Sequence, residues 1–283
     1  MFKTPRLHMS SPVLALVLGA ISVVFTGCGG SPTPANATTG TTVPSPAPAP
    51  APGGSPSSAP NTAAALFSFG DVDDMAGWTS CGKTMNGKEC AGGRGVAPTT
   101  LSQHASDPAL SGSSAHFWLG GTTRFSNVMW WKQLQDIEPK ATKYRYEFYV
   151  YMNNPERPEA LEFDVNQSAT GMRWVFGTQC NFKDSHHWDV WDASAHWVPT
   201  NVPCNTFQAN TWTHVVWNFE RAGDQSRYVS IEVNVVSYPV NMNMRAEKTW
   251  PWAGSLNVAF QMDGDINQSN FDVWLDKVSV SGW

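Results

Sequence analysis

Residues 160–181 read ALEFDVNQSATGMRWVFGTQCN, and their alternation decides the fold. Glu162, Asp164 and Asn166 fall on one face of an extended chain, and Leu161, Phe163 and Val165 fall on the other. A strand with that pattern packs one side on a core and turns the other to a polar groove. A turn around residues 168–171 returns a second strand carrying Arg173, Trp174 and Gln179, and a loop bearing HHWDVWD follows at residues 186–192. Carboxylates, amides and indoles gathered this closely suit a cleft for sugars, whose hydroxyls need acceptors and whose rings stack on flat apolar faces. Glu162, Asp164 and Asn166 are expected to bond such hydroxyls, with Gln179, Gln261 and Asp263 arriving from neighbouring strands.

Outward from this stretch the same pattern recurs. Short runs rich in Val, Tyr, Phe, Trp and Thr, broken by Gly, Pro and Asn, extend from AALFSFG at 64–70 to FDVWLDKVSVSG at 271–282. Eleven such runs and scarcely any helical periodicity predict an all-β, two-sheet antiparallel jelly-roll sandwich over residues 66–283. The chain has 283 residues, 14 Trp, 14 % charged residues and a net charge of −5. A nucleic-acid binder would be basic, so that class is excluded.

The N-terminus reads as an export signal. Lys3 and Arg6 precede an apolar segment at 12–25 that is shorter than the ~20 residues a spanning helix needs. It ends in FTGC, which resembles the lipobox of bacterial lipoproteins, with Phe25 where that pattern usually has Leu or Val. The resemblance implies a signal peptide at 1–27 and a lipid on Cys28. Gly29 is not the Asp that retains lipoproteins at an inner membrane, so an outer-membrane or cell-surface address is implied. Residues 28–65, rich in Pro, Ala, Ser, Thr and Gly, cannot bury a core and are expected to form a disordered, extended tether.

Five cysteines are an odd number, and lipidation of Cys28 leaves four. Three pairings are open, of which Cys81–Cys90 with Cys180–Cys204 is the simplest. Disulfides suit an exported protein. There is no C-x-x-C pair to suggest zinc.

Several runs resemble known families. TWTHVVWNFERAGDQSRYVSIEVNVVSYPVN at 211–241 looks like the Trp-x-His strand and hairpin of laminin-G and concanavalin A-like domains. FSFGDVDDMAGW at 67–78 and FDVWLDKVSVSGW at 271–283 are similar to the opening and closing strands of sandwich carbohydrate-binding modules. The blocks WWKQL, ALEFDVNQ, FGTQCN and VAFQMDG resemble a family of exported acidobacterial lipoproteins. These likenesses imply the sandwich and the compartment, and no particular chemistry.

Laminarinase-like glycosidases of the concanavalin A-like fold carry E-x-D-x-E or E-x-D-x-x-E on one strand. If the chain is an enzyme of that kind, Glu162 and Asp164 are its catalytic pair. The third position is Asn166 or Gln167, and an amide cannot act as a general acid. A remote acid such as Asp263 or Asp265 would have to replace it. A jelly-roll polysaccharide lyase is the second enzymatic reading, with Arg173, Gln179, His186 and His187 as its groove residues. Legume-type lectins also carry Glu-x-Asp as metal ligands, but their metal loop does not follow here. A structural Ca²⁺ is better placed where such modules join their ends, at Asp71, Asp73, Asp74 and Asp276; a solvated acidic turn is the competing reading.

Adjacent Trp130 and Trp131 must point to opposite faces. Trp212 and Trp217 read as core. Trp188, Trp191 and Trp197 lie in a segment that a Cys180–Cys204 bridge would pin, and Trp188 and Trp191 are expected to contact ligand. The sequence thus reads as a surface-tethered domain that binds a polysaccharide without cleaving it. The alternatives are a hydrolase or lyase using Glu162, and a structural envelope protein.

Overall fold

The computed structural model describes residues 64–81, 97–135, 140–194, 196–205, 207–248 and 254–283. Cys28, the export signal, the tether up to residue 63 and Cys90 lie outside them. Among the described residues sixteen strands form, with one 3-10 turn at Val72–Asp74. The first half holds β1 (Phe67–Phe69), β2 (Thr79–Cys81), β3 (Thr99–Ala105), β4 (Ser114–Leu119), β5 (Asn127–Gln135), β6 (Lys143–Met152), β7 (Pro158–Ala169) and β8 (Met172–Asn181). The second half holds β9 (His187–Asp192), β10 (His196–Pro203), β11 (Thr213–Ala222), β12 (Gln225–Val233), β13 (Val236–Arg245), β14 (Glu247–Lys248), β15 (Ser255–Gly264) and β16 (Phe271–Gly282).

The strands make two eight-stranded antiparallel sheets packed as a jelly-roll sandwich. Sheet A runs β13-β12-β11-β6-β16-β4-β3, with β1 also on β16. Sheet B runs β10-β9-β8-β7-β15-β5-β2, with β14 also on β8. β10 and β13 contain Pro199, Pro203 and Pro239, and both are edge strands, where a residue without an N–H leaves no central ladder bond unmade.

Period-two alternation builds the core. In β6, Tyr144, Tyr146, Phe148, Val150 and Met152 are buried, while Arg145, Glu147, Tyr149 and Tyr151 face outward. Rings from both sheets meet between the layers. Phe148 of sheet A stacks on Phe163 of sheet B at 4.3 Å, Phe219 on Phe176 at 5.0 Å, and Trp217 meets Trp188 edge-on at 5.8 Å. Truncating one such ring costs about 3–5 kcal/mol, transfer and cavity together.

Several expectations change here. HWDVWD, one of the eleven runs, is the strand β9 (His187–Asp192), and so not a loop that presents its indoles. Trp188 therefore points inward and is fully buried, three residues and one face away from Trp191. Gln167 belongs to the inner series of Leu161, Phe163 and Val165; it is fully buried and its Oε1 accepts the Tyr144 hydroxyl. Trp212 is half-buried on the outside of sheet A, against Tyr151 at 5.4 Å, whereas Trp217 is core. The YVSIEVNVVSY run bends into a hairpin shared by β12 and β13, and β3 and β10 were not among the eleven runs.

Candidate functional site

The outward face of sheet B carries the polar ladder. Register aligns residues of distant sequence into rows across the strands. One row is Trp131, Ala259, Asp164, Gly177, Trp191 and Trp197, contributed by β5, β15, β7, β8, β9 and β10. The next is Met129, Gln261, Glu162, Gln179 and Asp189. Beside it Asn127 pairs with Asp263, and on the other side Gln133, Asn257, Asn166 and Val175 align.

The first row has the shape of a trough. Asp164 lies at its floor between the two smallest side chains, Ala259 and Gly177. Gly177 has to lack a side chain: a Cβ there would meet Trp191 Cβ at 2.9 Å and lie 3.4 Å from Asp164 Oδ1. Half-buried indoles rise at both ends, Trp131 on one side and the Trp191–Trp197 pair on the other, the latter edge-on at 5.0 Å. Four inter-strand steps separate Trp131 from Trp191, about 19 Å at the usual strand spacing.

The carboxyl groups are buried and close together. Glu162 and Asp164 are 9 % and 6 % exposed. Gln261 Nε2 donates to Glu162 Oε1 and, at 2.9 Å, to Asp263 Oδ1. Burial pushes the Glu162 carboxyl well above the usual range, and the charges of Asp263 and Asp164 add to that. Glu162 and Asp263 thus share the Gln261 amide as a common donor between two raised carboxyl groups. Burial raises Asp263 to about 6, opposed by the donors Gln261, Asn127 and Glu162. Burial likewise raises Asp164 to about 7, opposed by the Thr178 N–H on its Oδ1 and by Arg173. Among the described residues nothing bonds Asp164 Oδ2. The Asn166 amide donates to Asn257 Oδ1 at 3.2 Å, while its own Oδ1 is buried without a partner.

Gln179 is next to Glu162, as expected, but its amide is committed to Asp189 Oδ2 at 2.8 Å. Asn181 and Ser185 also donate to Asp189, so that carboxylate is a fixed structural acceptor. Asp265 lies past the end of β15 and binds Lys183 at 3.7 Å, outside the rows. Arg173 shares the groove side of β8 and pairs with Glu247 at 3.5 Å. His187 begins β9 on that same side, with Nδ1 against Ser185 O, and His186 is exposed in the preceding turn. The lyase set of Arg173, Gln179, His186 and His187 is therefore spread along the sheet rather than gathered at one point.

Solved structures of other proteins are similar to this chain. They include an endo-β-1,4-glucuronan lyase from the fungus Trichoderma reesei, 11 % identical with a TM-score of 0.47, covering 76 % of this chain and 95 % of that one. Arcelin-5, a lectin-like defense protein from Phaseolus vulgaris, is 12 % identical with a TM-score of 0.45, covering 77 % and 98 %. The cellulose-induced protein Cip1 is 14 % identical with a TM-score of 0.45, covering 75 % and 96 %. No protein-family model and no curated protein matches the sequence. Identities this low carry no activity across to this chain.

The acidic residues at the chain's two ends come together only in part. Asp73 is buried, accepts Val278 N at 2.8 Å through Oδ1 and leaves Oδ2 unpartnered. Asp276 is fully buried, and its carboxylate takes the N–H groups of Leu110 and Ser111 and the Ser111 hydroxyl. Asp71 is exposed. Among the described residues no group of three or more His, Cys, Asp or Glu is placed to hold a metal ion. Cys180 and Cys204 do form a disulfide, with Cα atoms 5.4 Å apart, tying the end of β8 to the segment after β10.

Trp197, in the disulfide-pinned segment, joins the trough with Trp131, Ala259 and Gly177, and the last three are not among the expected contacts. Trp131 was legible as the outward member of its pair. Ala259 and Gly177 carry no chemistry and acquire meaning only through register.

Proposed function

We propose that this groove binds a glycan chain and does not cleave it, the domain being held at the cell surface by the residue 28–65 tether and a lipid on Cys28. One observation carries the reading: a single row places an open carboxylate on a floor of Ala and Gly between indoles about 19 Å apart. That span exceeds one sugar ring, so the ligand lies across the strands as an oligosaccharide, with rings on Trp131 and Trp191. Asn257, Asn166 and Gln261 supply amides along its edges. Cleavage lacks its acid on β7, because Asn166 stands where a retaining glycosidase strand carries it.

A hydrolytic reading has one observation in its favour, the raised Glu162 carboxyl bridged to Asp263 through the Gln261 amide. The test pairs a glycan array with release of reducing ends from the same polysaccharides. Binding without new ends supports the proposal, and Trp191→Ala should weaken it by about 1–3 kcal/mol through lost ring burial. New ends that vanish in Glu162→Gln would establish hydrolysis instead.

A further inference from the structure

Asp164 lies in the trough, Glu162 one row further along β7, and Asp263 one row beyond that on the neighbouring β15. Three buried carboxyl groups in successive rows of one sheet face need cations or protons. Other titratable or charged groups facing or flanking them are His187 and Asp189 on β9, Arg173 on β8, Glu247 on β14, and Glu159, Lys183 and Asp265 at the end of the rows, His187 having Nδ1 against Ser185 O. Each cation among these is engaged already: Arg173 by Glu247 at 3.5 Å, Lys183 by the Glu156 carbonyl and, at 3.7 Å, by Asp265. Asp189 is saturated by three donors. What remains is a 94 %-buried Asp164 whose Oδ2 has no partner among the described residues, on a floor kept clear by Ala259 and Gly177.

A hydroxyl offers such a carboxylate one donor and no charge. An ammonium group offers three donors and a compensating charge in a low-dielectric site. We infer that the glycan taken by this groove carries free primary amines, as de-N-acetylated hexosamine units do, with one ammonium group seated on Asp164 between Trp131 and Trp191. The inference rests on the glycan-binding reading above and names its ligand class. The raised carboxyl groups agree with it: burial holds them toward the protonated form, and a bound cation reverses that.

Three tetrasaccharides of one β-1,4 backbone isolate the substituent: the glucosamine tetramer, the N-acetylglucosamine tetramer and cellotetraose. Titration calorimetry of the intact protein near neutral pH should show the amine tetramer binding about ten- to a hundredfold more tightly than either other. It should release protons, seen as a heat that changes with the buffer's ionisation enthalpy. Affinity should fall toward acid as Asp164 and Asp263 take up protons, and toward base as the ligand's amine loses its own. Asp164→Asn, checked for an intact melting transition, should erase the preference while retaining weak binding. Equal or tighter binding of the neutral tetramers overturns the amine inference and leaves the glycan reading standing. The same holds if none of the three binds but the array finds another neutral glycan. Silence across both the tetramers and the array removes both.

Discussion

The two outward faces of the sandwich are built from similar residues and solve opposite problems. On sheet A the rings cover one another: His116 stacks on Trp274 at 4.5 Å, Tyr149 on His214 at 4.4 Å, and Tyr151 meets Trp274 edge-on. Its charges are paired too, His116 with Asp272 at 2.7 Å, and Glu147 with both His214 at 2.8 Å and Arg145 at 3.1 Å. On sheet B the indoles stand apart across a cleared floor, and the acids have one another rather than cations. Aromatic content does not distinguish the faces. What separates them is whether each polar group is satisfied inside the protein, because a buried acceptor without a partner costs free energy that a ligand can recover.

The sharpest way to break this contrast is on β7 itself, at two neighbouring positions. Gln167→Glu should destabilise the domain by about 3 kcal/mol or more in chemical denaturation, because it puts a carboxylate into the core beside Tyr144. Asn166→Glu, one residue away and half-exposed on the groove, should cost far less. Equal costs would mean that the two faces of β7 are not what they are described to be.

A smaller effect tests the acids. Asp164 ionises near 3.8 when unfolded and at about 7 in the fold, so between these values the native state holds a proton that the unfolded chain has lost. Stability from this group is therefore lost as pH rises from about 4 to 7, and the penalty is complete above about 7. Asp164→Asn should melt higher than the unmodified protein near pH 8 and lose that advantage near pH 4. A melting difference that does not vary with pH would show that Asp164 is not held protonated.

The smallest effect is expected on sheet A. Trp274→Ala should leave glycan affinity within about twofold, since its ring is occupied by His116 and Tyr151 and lies across the core from the groove. An affinity loss matching that of Trp191→Ala would erase the distinction between the faces.

Parity along a strand carried more than was first taken from it. Leu161, Phe163 and Val165 already put Gln167 on the inner side, and Trp188 and Trp191, three apart, cannot share a face of β9. The HWDVWD run reads both as one of the eleven strands and as a loop pinned by the disulfide, and only the first agrees with β9; Gln167 invites weighing by chemistry when its position decides. β10 was hidden by Pro199 and Pro203, which lower strand propensity everywhere except at an edge, and its edge position is a fact of the whole sheet.

The sequence by itself determined the all-β class, the outward series Glu162, Asp164 and Asn166, and the hairpin that sets Gln179 beside Glu162. These follow from a side-chain period of two and a short turn, and both are local. Tertiary structure decided that β15, about a hundred residues further along, lies against β7 and brings Gln261 and Asp263 to Glu162. It also aligned Trp131, Ala259, Gly177 and Trp191 into one row. Strand order and register across a sheet are set by long-range pairing, which no local pattern encodes, and so the carboxylates were visible before folding while the trough that holds them was not.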